Sequence, residues 1–342
     1  MEATTQHPDD TNRSYSEPDH GVRPDAPDRF YDDEDGVYQG IPEDEYHALQ
    51  RASQSTLQAL LDNSPAHAKA KMEEDLEPTS AQKVGTAIHA ALLQPDLFDA
   101  TYDVKGQCEG ETNSGSRCSR SGKHPVTDAK TGEIQWYCGT HRPDEGEDAG
   151  TEEADIEVLS ESRMETVEAI RAQARSHPAA SALLYEHPGL SELTVLWTHP
   201  TTEVRCKSRV DHLIKHPRMG YVAIDVKTTR DAAPTERGFP RSAAQYGYHR
   251  QAAFYRTALE ESGIPVDEYM ILAVEKEPPY AVVPYIVYDD NKATVEGQTP
   301  IAEGIAELEA ALRTFKQCRM DERWPTYTEA VERLRFPDWA FK

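Results

Sequence analysis

The 342-residue chain has little lysine: of its 36 basic residues 13 are Lys and 23 Arg, against 61 acidic residues, for a net charge of −25. A high acid content with little lysine fits either a salt-adapted source or a GC-rich bacterial or phage one, and the sum alone is unfavourable for a polyanionic partner. Long apolar runs are missing too. Nothing approaches the ~18 consecutive apolar residues of a membrane span, and the opening MEATTQHPDD holds no basic-then-apolar leader. A soluble, cytoplasmic protein without a membrane partner is therefore expected. Five cysteines, an odd number, argue against a disulfide framework and leave metal binding open. With 37% hydrophobic residues the chain has enough for a core confined to part of its length.

The charge is unevenly spread. Residues 1–50 hold 14 acids against 3 bases, and residues 143–168 hold 11 against 1. Residues 205–256 reverse this, with 11 bases against 4 acids. Residues 1–40, rich in Asp and Pro, cannot bury enough to offset the cost of ordering and read as a disordered acidic arm. Order is expected from Ile41 onward, in one folded domain over 41–342. Residues 105–150 are polar and rich in Gly and Ser, and read as an insertion in it.

Helices are expected from Ser53, from Pro65, over 80–94, over about 155–176, over 242–262 and over 300–317. Strands are expected at 191–198, 204–214, 221–228, 268–275 and 281–288. That order implies an α/β domain with a central mixed sheet flanked by helices. The turn His216-Pro217-Arg218-Met219-Gly220 joins two of these strands. Symmetry about Arg218 sets Asp211 opposite Asp225, and Lys227 falls on the face of Asp225 by the period-2 rule. Val226 and Ile224 then turn to the core. Two opposed carboxylates repel unless a cation lies between them. With an adjacent lysine, they are what a divalent-metal site for phosphodiester hydrolysis needs.

Asp211 … Asp225-Val226-Lys227 resembles the PD-(D/E)xK nuclease signature, with Val210 in place of the proline. Gln251 and Tyr255 reproduce the Q-x-x-x-Y helix of RecB-type nucleases, and Gly85 with His89 their G-x-x-x-H helix. Further matches resemble the RecE-like (exodeoxyribonuclease VIII type) exonucleases of phages and prophages. They are Ser53-Gln54-Ser55-Thr56-Leu57, Ser64-Pro65-Ala66, Ser191-Glu192, Val274 to Tyr280, Cys318 with Trp324-Pro325, and Phe336-Pro337-Asp338-Trp339-Ala340. The resemblance implies a restriction-endonuclease-like core. It assigns a catalytic Mg²⁺ or Mn²⁺ to His89, Asp211, Asp225, the carbonyl of Val226 and Glu192. Lys227 becomes the catalytic lysine, and Gln251 and Tyr255 shape the site and the DNA 5′ end. A 5′ to 3′ exonuclease on linear double-stranded DNA, in recombination or repair, is implied, as are a homo-oligomeric ring and a single-strand annealing recombinase as partner. A Cas4-like or restriction-type nuclease, or a non-catalytic zinc-containing DNA-binding protein, are the rival readings.

Cys108, Cys118, Cys138 and His141 have the spacing C-x9-C-x19-C-x2-H. The closing Cys138-Gly139-Thr140-His141 resembles a zinc knuckle, so a structural Zn²⁺ is expected there. Cys206 and Cys318 read as core-filling. The basic segment carries the candidate DNA contacts, Arg205, Arg209, Arg241 and Arg250, expected around the mouth of the metal site because a planar guanidinium fork suits phosphate.

Overall fold

The structure is a computed structural model. It describes residues 22–23, 34–73, 79–104, 106–112, 114–128, 134–143, 151–153, 156–287, 299–337 and 340. In chain order, β1 (Val22–Arg23) and β2 (Gly36–Tyr38) precede α1 (Glu43–Ala48), β3 (Ala52–Ser53), α2 (Gln54–Asp62) and α3 (Pro65–Met72). Next come α4 (Ser80–Leu93), α5 (Pro95–Thr101) and β4 (Tyr102–Val104), then β5 (His124–Asp128), β6 (Ile134–Tyr137) and β7 (Thr151–Glu153). β8 (Glu157–Leu159), α6 (Glu161–Ser176) and α7 (Pro178–Ser181) lead through a π-helical turn at Ala182–Glu186 into β9 (Gly189–Thr198), β10 (Arg205–His216) and β11 (Gly220–Thr229). The chain then forms α8 (Phe239–Gln245), α9 (Tyr248–Glu261), β12 (Glu268–Glu275), β13 (Val282–Ile286) and α10 (Pro300–Met320).

The central sheet runs β1-β2-β9-β10-β11-β12-β13, with β3 also paired to β10. It is mostly antiparallel. β11 and β12 are parallel, as a crossover through α8 and α9 requires. One face packs Val195, Trp197, Ala223 and Ile271 against Phe254 of α9 and Leu312 and Phe315 of α10. The other packs Ile224, Val226 and Leu272 against Ile88 and Leu92 of α4 and Ile170 of α6. The mixed sheet between helical layers is the architecture expected from sequence.

Local signals explain most boundaries. Ser53 accepts from the Thr56 amide at the start of α2, and Thr79 with Gln82 closes a capping box on α4. The expected helix over 242–262 is two helices, because Gly247 takes a left-handed φ of 64° between α8 and α9. The expected helix over 155–176 begins late: Glu157–Leu159 is instead a strand paired in parallel with β4. Order also starts before Ile41. Val37 and Tyr38 are buried, β2 pairs with β9, and Asp35 pairs with the fully buried Arg51 at 2.7 Å. The reading of 1–40 as disordered is thus corrected at its end, and the rest of it lies outside the described residues apart from β1. Among the described residues no helix is long and apolar enough to cross a membrane.

Candidate active site and a cysteine-rich metal site

The hairpin register matches the expected symmetry: β10 and β11 pair from His216↔Gly220 to His212↔Ile224. Pairing stops one position short of Asp211 and Asp225. Instead of a ladder bond, Asp211 Oδ2 accepts the Val226 amide at 2.8 Å. Beyond that point β10 takes β3 as its neighbour, with Cys206 opposite Ala52. The strands therefore part at the two aspartates, and side chains from both helical layers reach them through the gap. His89 of α4 places Nδ1 3.5 Å from Asp211 Oδ2, and Gln251 of α9 donates to Asp225 Oδ1 at 2.5 Å. Lys227 Nζ lies 2.6 Å from Asp225 Oδ2.

Glu192 sits on β9 at the register position of Asp211, in a left-handed backbone with φ 52°. Its carboxylate, that of Asp211 and the His89 ring bring ligand atoms within 4.8 Å of one another. Val226, whose carbonyl is a candidate ligand, donates its amide to Asp211 and hydrogen-bonds His89 through its backbone.

Burial governs the electrostatics. It raises Asp225 to about 6 against the opposing pull of Lys227, and it raises Glu192 to about 7 with help from Asp211. Burial and the nearby Lys227 charge hold His89 down at about 4, leaving its ring neutral and able to donate a lone pair. Burial also opposes the Lys227 ammonium, but Asp225 and Asp211 outweigh it and raise its pKa. Buried acids crowded round a neutral imidazole form a site short of positive charge. Among the described residues Asp225 Oδ2 has Lys227 as its partner and no other. An oxygen-rich set with one imidazole fits a hard divalent cation.

Tyr255 is partly buried behind Gln251, its hydroxyl held well above the ordinary range by burial. Two neighbours escaped sequence reasoning. The Tyr248 ring lies 5.3 Å from Lys227 Nζ, a cation–π distance. It precedes Gln251 by three residues and Tyr255 by seven, so helical periodicity could have added it to their face. Tyr269 of β12 is buried, and its hydroxyl, without a partner among the described residues, has Asp225 and Tyr255 in its environment. Only strand register, Tyr269 beside Ala223, brings it there.

The four arginines do not form one ring around the site. Arg209 is near, stacked 4.3 Å over Tyr46 and donating to the Ile41 carbonyl at 2.7 Å. Arg241 is exposed on α8. Arg205 is six residues up β10 from Asp211, about 20 Å at strand rise, near Asp35. Arg250 is held by Glu307 and by Asp62, the latter at 2.9 Å, because α9 packs against both α10 and α2.

Cys108, Cys118, Cys138 and His141 converge, with all three cysteines buried. The sulfurs of Cys108 and Cys138 each lie 3.5 Å from His141 Nδ1. A tetrahedral zinc with bonds of ~2.3 Å to sulfur and ~2.0 Å to nitrogen separates such ligands by about 3.5 Å. The donor set fits zinc. Backbone hydrogen bonds from Thr140 and His141 pull the Cys138 thiol down to about 6, favouring the thiolate a metal binds. Gly110 is needed here, since a Cβ would come within 2.4 Å of His141. The segment has more structure than its composition suggests: β6, β5 and β7 form a small sheet, and Trp136 is buried against Gly106 and Gly122. Cys206 and Cys318 are buried in the main core, as expected.

Residues 53–337 match the family profile of a PDDEXK-like domain of unknown function, DUF3799. The chain belongs to that family. This PDDEXK-like chain thereby falls in the PD-(D/E)xK nuclease superfamily, whose members typically use divalent metals. Among solved structures it is similar to a protein of Eubacterium rectale with a provisional exonuclease assignment. The alignment covers 87% of this chain and 96% of that one at 12% identity, with a TM-score of 0.51. SSO0001 aligns over 44% of this chain and 68% of its own at 15% identity, with a TM-score of 0.26, and carries no weight. No curated protein matches the PDDEXK-like chain in sequence.

Proposed function

We propose that this PDDEXK-like protein is a Mg²⁺- or Mn²⁺-dependent deoxyribonuclease of the RecE-like kind, degrading linear double-stranded DNA 5′ to 3′ in recombination or repair. One observation carries the reading. Two aspartates, a lysine two residues beyond the second, and a histidine from the opposite layer meet where β10 and β11 part. His89, Glu192, Asp211, Asp225 and the Val226 carbonyl would hold the ion. When bound, it supplies positive charge to the phosphate and acidifies a water. Lys227, kept charged by Asp225 and by the Tyr248 ring face, orients the attacking water. Gln251 fixes the Asp225 carboxylate through Oδ1. Arg209, whose charge acts on Glu192, and the exposed Arg241 are the arginines this reading assigns to phosphate, while Arg250 holds helices together. Zn²⁺ on the cysteine cluster is structural. A homo-oligomeric ring and a single-strand annealing partner belong to the same reading.

Purified protein incubated with 5′-labelled linear and with circular duplexes, with and without Mg²⁺, tests it. Mg²⁺-dependent loss of the 5′ label as mononucleotide, with circles intact, is the expected result. Circles cut as fast as linear DNA would favour a restriction-type enzyme. Binding without hydrolysis would favour a zinc-containing DNA-binding protein.

A further inference from the structure

We propose that Ser191 and His212 are positioning residues that lock the three metal-ligand elements to one another, a role that rests on the nuclease reading above. Ser191 Oγ donates to the Leu93 carbonyl at 2.8 Å and lies 2.9 Å from His212 Nδ1. A hydroxyl has one proton. With that proton on the carbonyl, His212 Nδ1 must be the donor to Oγ, which sets the tautomer and leaves Nε2 an acceptor. Nε2 is buried and has no partner among the described residues.

The positions matter more than the bonds. Ser191 immediately precedes Glu192, His212 immediately follows Asp211, and Leu93 lies one helical turn after His89. A single hydroxyl thus joins β9, β10 and α4 at points adjacent to a candidate ligand on each. Ser191 and His212 are cross-strand partners, and so are Leu193 and Val210; the intervening Glu192 and Asp211 are not paired. The ladder is interrupted at the two acids, and Glu192 adopts an unfavourable left-handed backbone there. The Ser191–His212 link re-establishes register directly beyond the interruption, while its bond to Leu93 sets how far α4 stands from the strands. Without it, backbone pairing holds Glu192 near Asp211, and α4 is left tied to the strands by apolar packing and by the contacts of His89, the candidate ligand itself.

The test is Mn²⁺ binding by calorimetry to the full-length protein, alongside its thermal midpoint and its zinc content. Ser191→Ala is expected to weaken Mn²⁺ binding about tenfold, the lower end of what outer-shell partners of metal ligands contribute. Ser191→Thr, which keeps the hydroxyl, should stay within about twofold of the unaltered protein, and His212→Phe should repeat the loss seen with Ser191→Ala. Zinc content should not move in any of them. Ser191→Ala binding Mn²⁺ as tightly as the unaltered protein overturns this inference alone. A Ser191→Ala chain that no longer folds would make the bond ordinary core structure and overturn it equally. If the unaltered protein binds no Mn²⁺, both this inference and the nuclease reading fall.

Discussion

In the gap between β10 and β11 the candidate ligands hang from strands and a helix packed by Leu193, Val226, Ile88 and Phe254, none of which needs an ion to stay in place. In the 106–143 segment three cysteines are themselves a buried cluster, supplemented by little more than Trp136 and Val126. The first region is a scaffold onto which hard oxygen donors were placed at an electrostatic cost. The second is a set of soft donors around which a scaffold closes. Removing metal should therefore relax the first electrostatically and loosen the second mechanically.

The sharpest way to break this contrast is Asp225→Asn. It keeps an acceptor for Gln251 but loses the charge, and hydrolysis should fall at least ~1,000-fold, about 4 kcal/mol in the barrier. The metal-free midpoint should change little, because the substitution removes a buried like-charge neighbour of Asp211 together with a partner of Lys227. Hydrolysis at the wild-type rate would remove Asp225 from the site.

On the other side of the comparison, Cys138→Ser should release the zinc and expose 106–143 to hydrogen exchange and proteolysis, while the main melting transition stays where it was. Elemental analysis and exchange mapping read both. Loss of the whole fold would mean that the insertion supports the sheet, and the contrast would fail.

The scaffold can be attacked without touching either site. Deleting residues 1–40 removes Asp35 from the fully buried Arg51 and strand β2 from the edge of β9, and should destabilise the protein by ~3 kcal/mol. Deleting residues 1–33, which takes only the two-residue β1 from beside β2, should cost far less. Equal denaturant midpoints for the two truncations would contradict this.

The smallest expected effect is on pH dependence, and it separates stability from metal affinity. Asp225 and Glu192 have raised pKa values, so their contribution to folding is complete at low pH and fades as pH rises through about 6 and 7. His89 and His212 are both lowered to about 4, so they favour folding above their unfolded pKa and oppose it as pH falls toward 4. The two trends oppose each other, and metal-free stability should be nearly flat between pH 5 and 7. Metal affinity should not be flat: an ion must displace protons from the two acids, so Mn²⁺ binding should tighten from pH 5.5 to 7.5. Calorimetry at several pH values checks it, and a pH-independent affinity would contradict the assignment of Glu192 and Asp225 as ligands.

Much of this was legible in one dimension because its causes are local. The turn at Pro217–Gly220, together with alternation along two strands, predicts which residues of β10 and β11 pair, and caps and prolines mark the starts of most helices. The spacing of Gln251 and Tyr255 places both on one face of α9, and the cysteine spacing identifies four candidate ligands that do converge. Other features depend on distant chain. Arg250 reads as a phosphate contact until α10 and α2 bring Glu307 and Asp62 against it. Tyr269 carries no motif, and only parallel pairing with β11 sets it beside Asp225. Val37 and Tyr38 look like part of an acidic tail until β9 offers them an edge. Residue chemistry and period therefore determined the strand pair that carries Asp211, Asp225 and Lys227, while the family resemblance added His89 and Glu192 as candidate ligands. Tertiary structure decided where β10 and β11 part, which arginines are taken up by internal ion pairs, and which buried hydroxyls lie near the acids. Those outcomes depend on contacts between segments far apart in sequence, which no local pattern encodes.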